Sequence, residues 1–323
     1  FWSEEIHHTK RRDMGPYTYC LPRGTRILLS NWDWQQIQSL MPGDDVVGFE
    51  MKRGGRTNLV PAKVLATASR VEKVNDYQLA SGQIIRCTPT HRWWSGRTGT
   101  DGHRVYSALG NGSYRDLKGL VKITDVFHQS QDEYTRECYG WLAGMIDGEG
   151  TISPQGQVVI SQSPEHNPAV CKRLEEILAQ LKIEYSTCDR PASKANGRNA
   201  KAGRLYVLKG GRPMKHRILS NASLAKRDVM VERGLMGRIG GRYAEPKNDK
   251  VVAITEGSEE TVYSIETTTG NYIAEGYASK NSAQILLNPK ADALQGFRRE
   301  GLRYHSGITP ERARRMNKYI LVD

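Results

Sequence analysis

The feature that most constrains this chain is a change of hydrophobic period, made once and then reversed. From Cys20 to about residue 130 the apolar residues come in short alternating runs: Thr25-Arg26-Ile27-Leu28-Leu29, Asp45-Val46-Val47-Gly48-Phe49, Gln83-Ile84-Ile85-Arg86-Cys87. Turn formers (Pro42-Gly43, Ser81-Gly82) separate them, the signature of an all-β region. From about 131 to 223 the period lengthens. Tyr139, Leu142, Ala143 and Ile146 fall at i, i+3, i+4 and i+7, which predicts a helix that the glycines of Asp147-Gly148-Glu149-Gly150 stop. Two short strands follow, near Thr151-Ile152 and Val158-Val159-Ile160. Asn167 as N-cap and Pro168 at the first position open a second helix, buried along Val170, Leu174, Ile177, Leu178 and Leu181. Strands at 183–188 and 204–208, separated by a basic loop, precede a last helix at 213–222. Beyond a glycine-rich basic connector (233–247), β patterning returns at Lys250–Ile254 and Thr261–Ile265. A β domain interrupted by an inserted α+β domain of order αββαββα accounts for this sequence of periods.

Charge and cysteine usage narrow the function classes. A formal net charge of +12 suits a polyanionic partner such as nucleic acid. The five cysteines, Cys20, Cys87, Cys138, Cys171 and Cys188, include no C-x-x-C pair, so neither a disulfide framework nor a zinc site is indicated, and a reducing cytoplasm is the expected setting. No apolar run approaches the roughly 18 residues of a membrane helix, so no membrane partner is expected.

Four separated motifs carry chemistry. Cys20-Leu21-Pro22-Arg23-Gly24-Thr25 opens the β region, and Thr88-Pro89-Thr90-His91 follows a strand. Val262-Tyr263-Ser264-Ile265 precedes Asn271-Tyr272-Ile273-Ala274-Glu275-Gly276, and Lys280-Asn281-Ser282 comes last. As an ordered set they resemble the splicing blocks of inteins over about 20–130 and 247–282. The resemblance implies a horseshoe-like, mainly β splicing (Hint-type) domain that excises residues 20–281 and joins Tyr19 to Ser282 autocatalytically. A planar, resonance-stabilised peptide bond needs distortion or an internal nucleophile to break. The implied roles follow: the Cys20 thiol attacks the Tyr19 carbonyl to give a thioester. Thr88 hydrogen-bonds the scissile amide, and His91 gives a proton to the departing amine. The Ser282 hydroxyl takes the acyl group, and Asn281 cyclises to release the ester-joined flanks. No cofactor is needed. Two positions depart from the family pattern: Lys280 stands where His commonly precedes the terminal Asn, and Ser264 where Asp commonly follows Val-Tyr. Gly270 stands where some inteins carry a compensating His. An ammonium with an ordinary pKa of roughly 10.4 is a poor proton shuttle at neutral pH, so the last step is expected to be slow. A hedgehog-type autoprocessing domain shares the Cys and T-x-x-H logic but needs no Asn281-Ser282.

Trp141-Leu142-Ala143-Gly144-Met145-Ile146-Asp147-Gly148-Glu149-Gly150 resembles the signature helix of LAGLIDADG homing endonucleases. Gly140 and Gly144, one turn apart, allow another such helix to approach closely, and only one copy of the motif is present. The resemblance implies Glu149 as ligand of Mg²⁺, a hard ion suited to oxygen donors. It further implies Gln162 and Lys209 as pocket residues, double-stranded DNA as partner, and a homodimer through the 139–148 helix supplying the second carboxylate. Arg190, Lys194, Arg198, Lys201 and Arg204 are candidates for DNA contact. A relic DNA-binding domain is the alternative. The flanks (1–19 and 282–323) join as Met14-Gly15-Pro16-Tyr17-Thr18-Tyr19 to Ser282-Ala283-Gln284-Ile285-Leu286-Leu287. They resemble a stretch of the bacteriophage terminase large subunit, which implies a bacterial host cytoplasm. The flanks are expected to be a fragment of that subunit, since no G-x-x-x-x-G-K-[ST] motif precedes them. The expected division is thus 1–19, 20–130, 131–246 as endonuclease and connector, 247–281, and 282–323.

Overall fold

A computed structural model describes residues 20–52, 56–98, 104–109, 119–191, 193–195, 198–200, 202–239 and 248–280. Both flanks, with Asn281 and Ser282, lie outside the described residues. The first β region contains β1 (Leu21–Pro22), β2 (Arg26–Leu28), β3 (Trp34–Gln36), β4 (Asp45–Lys52), β5 (Arg56–Leu79), β6 (Ile84–Cys87), β7 (Arg92–Thr98), β8 (Arg104–Ala108) and β9 (Leu120–Val121). Then come α1 (Glu133–Glu149), β10 (Gly150–Ile152), β11 (Val158–Gln162), α2 (Pro168–Gln180), β12 (Tyr185–Arg190), β13 (Ser193–Ala195), β14 (Arg198–Ala200), β15 (Gly203–Leu208), α3 (Gly211–Asn221) and α4 (Arg227–Met230). The chain returns through β16 (Gly237–Ile239), β17 (Asn248–Asp249), β18 (Val251–Thr267), β19 (Asn271–Ala274) and β20 (Tyr277–Lys280).

The scaffold of the β region is one antiparallel pair much longer than the sequence pattern suggests. β5 runs 24 residues and β18 runs 17, paired from Val251↔Leu79 to Thr267↔Val64. The alternation is lost in the middle of β18 because Thr255-Glu256-Gly257-Ser258-Glu259-Glu260 is polar and almost wholly exposed, and the pairing shifts register at three places. β4, β6 and β16 also pair with β5, and β1 pairs with β18. β16 lies in what the sequence reads as plain connector: Gly237 pairs with Leu59 and Ile239 with Thr57. A second sheet runs β3-β2-β19-β20-β7-β8. Its β19–β20 hairpin turns through Glu275 and Gly276 at φ 49° and 88°, the left-handed pair that matches strand twist. Glu275 is held there by Arg26, whose guanidinium lies 2.6 Å from the carboxylate. A Cβ on Gly276 would fall 2.2 Å from the Thr124 carbonyl oxygen.

The intervening segment folds as helix–strand–strand twice and then a helix, around a sheet of order β10-β11-β15-β12. Cys138, Tyr139, Leu142, Ala143 and Ile146 are the buried face of α1. The helix runs on through Gly148 and stops at Gly150, where a Cβ would meet the Ile146 carbonyl oxygen at 2.5 Å. Pro168 begins α2 as expected, but Asn167 does not cap it; its amide donates instead to Gln162 Oε1 at 3.3 Å. The loop after β12 is itself a hairpin, β13–β14. One apolar core joins the two regions, running from Leu28, Trp32 and Phe49 to Leu142, Tyr206 and Ile218. At the seam His216 of α3 is fully buried. Its Nδ1 lies 2.7 Å from Thr124 Oγ1, its Nε2 3.0 Å from the Trp32 carbonyl, and its ring packs edge-on against Trp32. Burial pushes the imidazole pKa down to about 4. Arg227 closes the seam with an ion pair to Asp33 at 2.6 Å. Among the described residues no helix is long and apolar enough to cross a membrane.

Candidate active site

Cys20, Thr88 and His91, 71 residues apart at the extremes, meet in one buried place. The T-x-x-H spacing is the spacing of a β-turn: the His91 amide returns to the Thr88 carbonyl at 2.9 Å, with Pro89 at the position its fixed φ favours. The turn holds the start of β1 at its other end. The Thr88 amide donates to the Cys20 carbonyl at 3.2 Å, and Thr88 Oγ1 lies 3.3 Å from both the Cys20 nitrogen and the Cys20 oxygen. A hydroxyl that can accept from one and donate to the other therefore grips both backbone polar groups of the nucleophile candidate. Cys20 is 1% exposed, Thr88 1% and His91 0%.

The carboxy-terminal strand closes the site. Ser279 pairs with Trp93 and with Tyr272, and its Oγ lies 2.9 Å from His91 Nε2. The His91 ring rests against Trp93 at 4.8 Å between centroids. Lys280 follows, its ammonium 5.6 Å from the centre of the Tyr106 ring. The β1 register, Leu21↔Tyr263 and Pro22↔Val262, carries Cys20 to a position opposite Ser264, which is buried. Cys87, beside Thr88 in sequence, is a fully buried thiol pushed up to about 12, so it stays neutral and does not compete as a nucleophile. Burial also pushes the Tyr272 phenol far above its ordinary range. Glu266, passed over in the sequence, lies on the same face of β18 as Ser264, and burial raises its carboxyl to about 8. Ser279 too was invisible in sequence, because a serine in a strand carries no signal until its partner is known.

The second candidate region, at the end of α1, is open. Glu149 is exposed. Asp147 is engaged, accepting from the Ala225 and Lys226 amides at 2.8 and 3.0 Å. Gln162 is buried at the end of β11, paired across the ladder with Arg204. Lys209 is not near them. It follows β15 five residues beyond Arg204, about 16 Å along the strand at 3.3 Å per residue. The lysine that reaches the end of α1 is Lys226, whose ammonium donates to the Ile146 and Gly150 carbonyls at 3.0 and 2.6 Å, where a cation complements the helix dipole. Arg190 is exposed at the end of β12, while Arg204 is already paired with Asp189 at 2.7 Å. Lys194 and Arg198 sit on β13 and β14, but their side chains, and all of Lys201, lie outside the described residues. Gly140 and Gly144 face open space: an added Cβ meets nothing within 4 Å.

Among the described residues no group of three His, Cys, Asp or Glu could hold a metal, and Glu149 is the single carboxylate at this end of α1 not engaged by backbone amides.

No family model and no curated protein matches the chain. Solved structures that it resembles are inteins or intein-like. A DnaB intein from Synechocystis sp. PCC 6803 is 11% identical, with 82% of this chain and 99% of that one covered at a TM-score of 0.34. A bacterial intein-like domain from Clostridium thermocellum is 10% identical, with 82% and 100% covered at 0.34. The gp41-1 intein is 9% identical, with 82% and 100% covered at 0.31.

Proposed function

We propose that residues 20–281 form a self-splicing element of the intein type. The observation that carries this reading is the grip of Thr88 on the Cys20 backbone, made by the same turn that buries His91. A structural cysteine needs none of it. A cysteine whose preceding amide must be cleaved needs its backbone fixed, a hydrogen-bonding hydroxyl at the junction and a proton donor nearby. The Cys20 sulfur adds to the Tyr19 carbonyl carbon, the C–N bond breaks, and His91 delivers the proton that the Cys20 amine takes up. Thr88 steadies the junction while charge develops on the Tyr19 oxygen. The Ser282 hydroxyl displaces the Cys20 thiol from the thioester. The Asn281 side-chain nitrogen then attacks its own main-chain carbonyl, closing a succinimide and freeing the Ser282 amine, which takes the acyl group from the Ser282 oxygen. Tyr19 and Ser282 end joined by a peptide bond. Added thiol tests this directly: it should release residues 1–19 as a thioester adduct, and an inert chain contradicts the reading.

The segment 131–246 supports a second reading, a DNA-cleaving or DNA-binding domain of the LAGLIDADG type carried inside the splicing element. The supporting observation is α1 itself, which ends in the exposed Glu149 and leaves the faces of Gly140 and Gly144 uncovered. One carboxylate per chain makes half a site. A second copy docked along α1 would supply the other, and double-stranded DNA and Mg²⁺ complete this proposal. The flanks fit a phage terminase large subunit as the interrupted host.

A further inference from the structure

We infer that Ser279 is the positioning residue that fixes His91 for its proton transfer. The inference rests on the splicing reading and deepens it. His91 and Ser279 are both 0% exposed, so neither polar group can turn to water for a substitute partner. Their 2.9 Å contact is set by strand pairing, since β20 lies against β7 with Ser279 opposite Trp93. The Ser279 hydroxyl has one proton, and the Lys280 carbonyl lies 3.5 Å from its oxygen. With the proton directed there, the oxygen accepts from His91 Nε2–H. The imidazole is thereby held as the Nε2–H tautomer when neutral, and Nδ1 is the nitrogen that exchanges a proton at the Tyr19–Cys20 bond.

Ser279 stands two residues before Asn281, on the strand that leads into the second junction. His91, the proton donor of the first step, is therefore bonded to a side chain on the strand that leads to the last. The family position that commonly holds a second histidine is Lys280 here, with its ammonium over Tyr106, so among the described residues His91 is the imidazole bonded to the strand that leads to Asn281.

The test uses the full chain and reads thiol-induced release of residues 1–19. Ser279→Ala should slow release by about 10- to 100-fold, the usual cost of letting a catalytic group drift by an ångström. Ser279→Thr keeps the hydroxyl and should restore most of the rate. A second measurement does not depend on how well the Ala variant folds: imidazole ¹⁵N spectra of the full chain bearing Cys20→Ala should show His91 protonated at Nε2 and bare at Nδ1. A parent chain that reacts while Ser279→Ala matches its rate overturns the inference alone, as does the opposite tautomer. A parent chain that yields no thioester overturns the inference and the splicing reading together.

Discussion

The Cys20 region and the end of α1 are two candidate sites built on opposite principles. Around Cys20 the protein supplies every partner from its own chain: Thr88 holds the backbone, Ser279 holds His91, and all four residues are buried. At α1 the helix is fixed from one side only. Lys226 and the amides of Ala225 and Lys226 secure its last turn, while Glu149, Gly140 and Gly144 face outward. A site that works within one molecule can be buried and fully bonded, because its reactants are part of the fold. The exposed end of α1 leaves room for a partner from outside the chain, as the second proposed reading would need.

The largest effects should separate the two regions completely. Cys20→Ala should abolish both thioester and ligated product by mass spectrometry, because no other thiol stands at that backbone position; persistent ligation would break the account of the first site. Glu149→Gln should eliminate cleavage of double-stranded DNA bearing the uninterrupted insertion site, in Mg²⁺, with splicing unchanged. Loss of both activities together would show that the two regions are not independent. Next, His91→Ala should slow thiol-induced release by roughly 100-fold or more, the lower range for losing a general acid. A loss of only two- or threefold would return His91 to a packing role.

The seam between the regions gives a pH test. His216 has a folded pKa of about 4 against an ordinary 6.5, so the unfolded chain binds the proton more readily. Its contribution is intact above about pH 6.5 and is lost as pH falls toward 4, on the order of 3 kcal/mol in all. Urea midpoints across this range should fall with acid, and His216→Gln should flatten that limb. Equal slopes in both proteins would remove His216 as its source. The smallest expected effect is at Lys280. Lys280→His should speed Asn281 cleavage several-fold, since imidazole can give and take protons near neutrality. An unchanged or slower rate would mean that another group already fills the role.

What could be read from sequence followed from local rules. The α1 face, the Pro168 start and the alternation of strands were legible because hydrophobic period reports burial directly. Cys20, Thr88 and His91 were picked out by the resemblance of their motifs to splicing blocks, and the fold brings Thr88 against the Cys20 backbone. What escaped depends on register or on pairs distant in sequence. β18 reads as two short strands because its polar, exposed middle (255–260) carries no hydrophobic period, and β16 reads as connector because a three-residue strand has none either. Ser279 matters only through a ladder joining residues 93 and 279. Lys209 and Lys226 are alike in sequence, and only the path of the chain after α3 brings the latter to α1. Asn167 reads as a cap by type, yet its amide finds Gln162.

Intact-mass measurement of the freshly expressed full chain over time tests the central claim most directly. The account predicts loss of the 323-residue species, with growth of a 20–281 fragment ending in succinimide or asparagine, and a ligated product carrying the Tyr19–Ser282 junction. A chain that keeps its full mass indefinitely, with no thioester captured by added thiol, would contradict it.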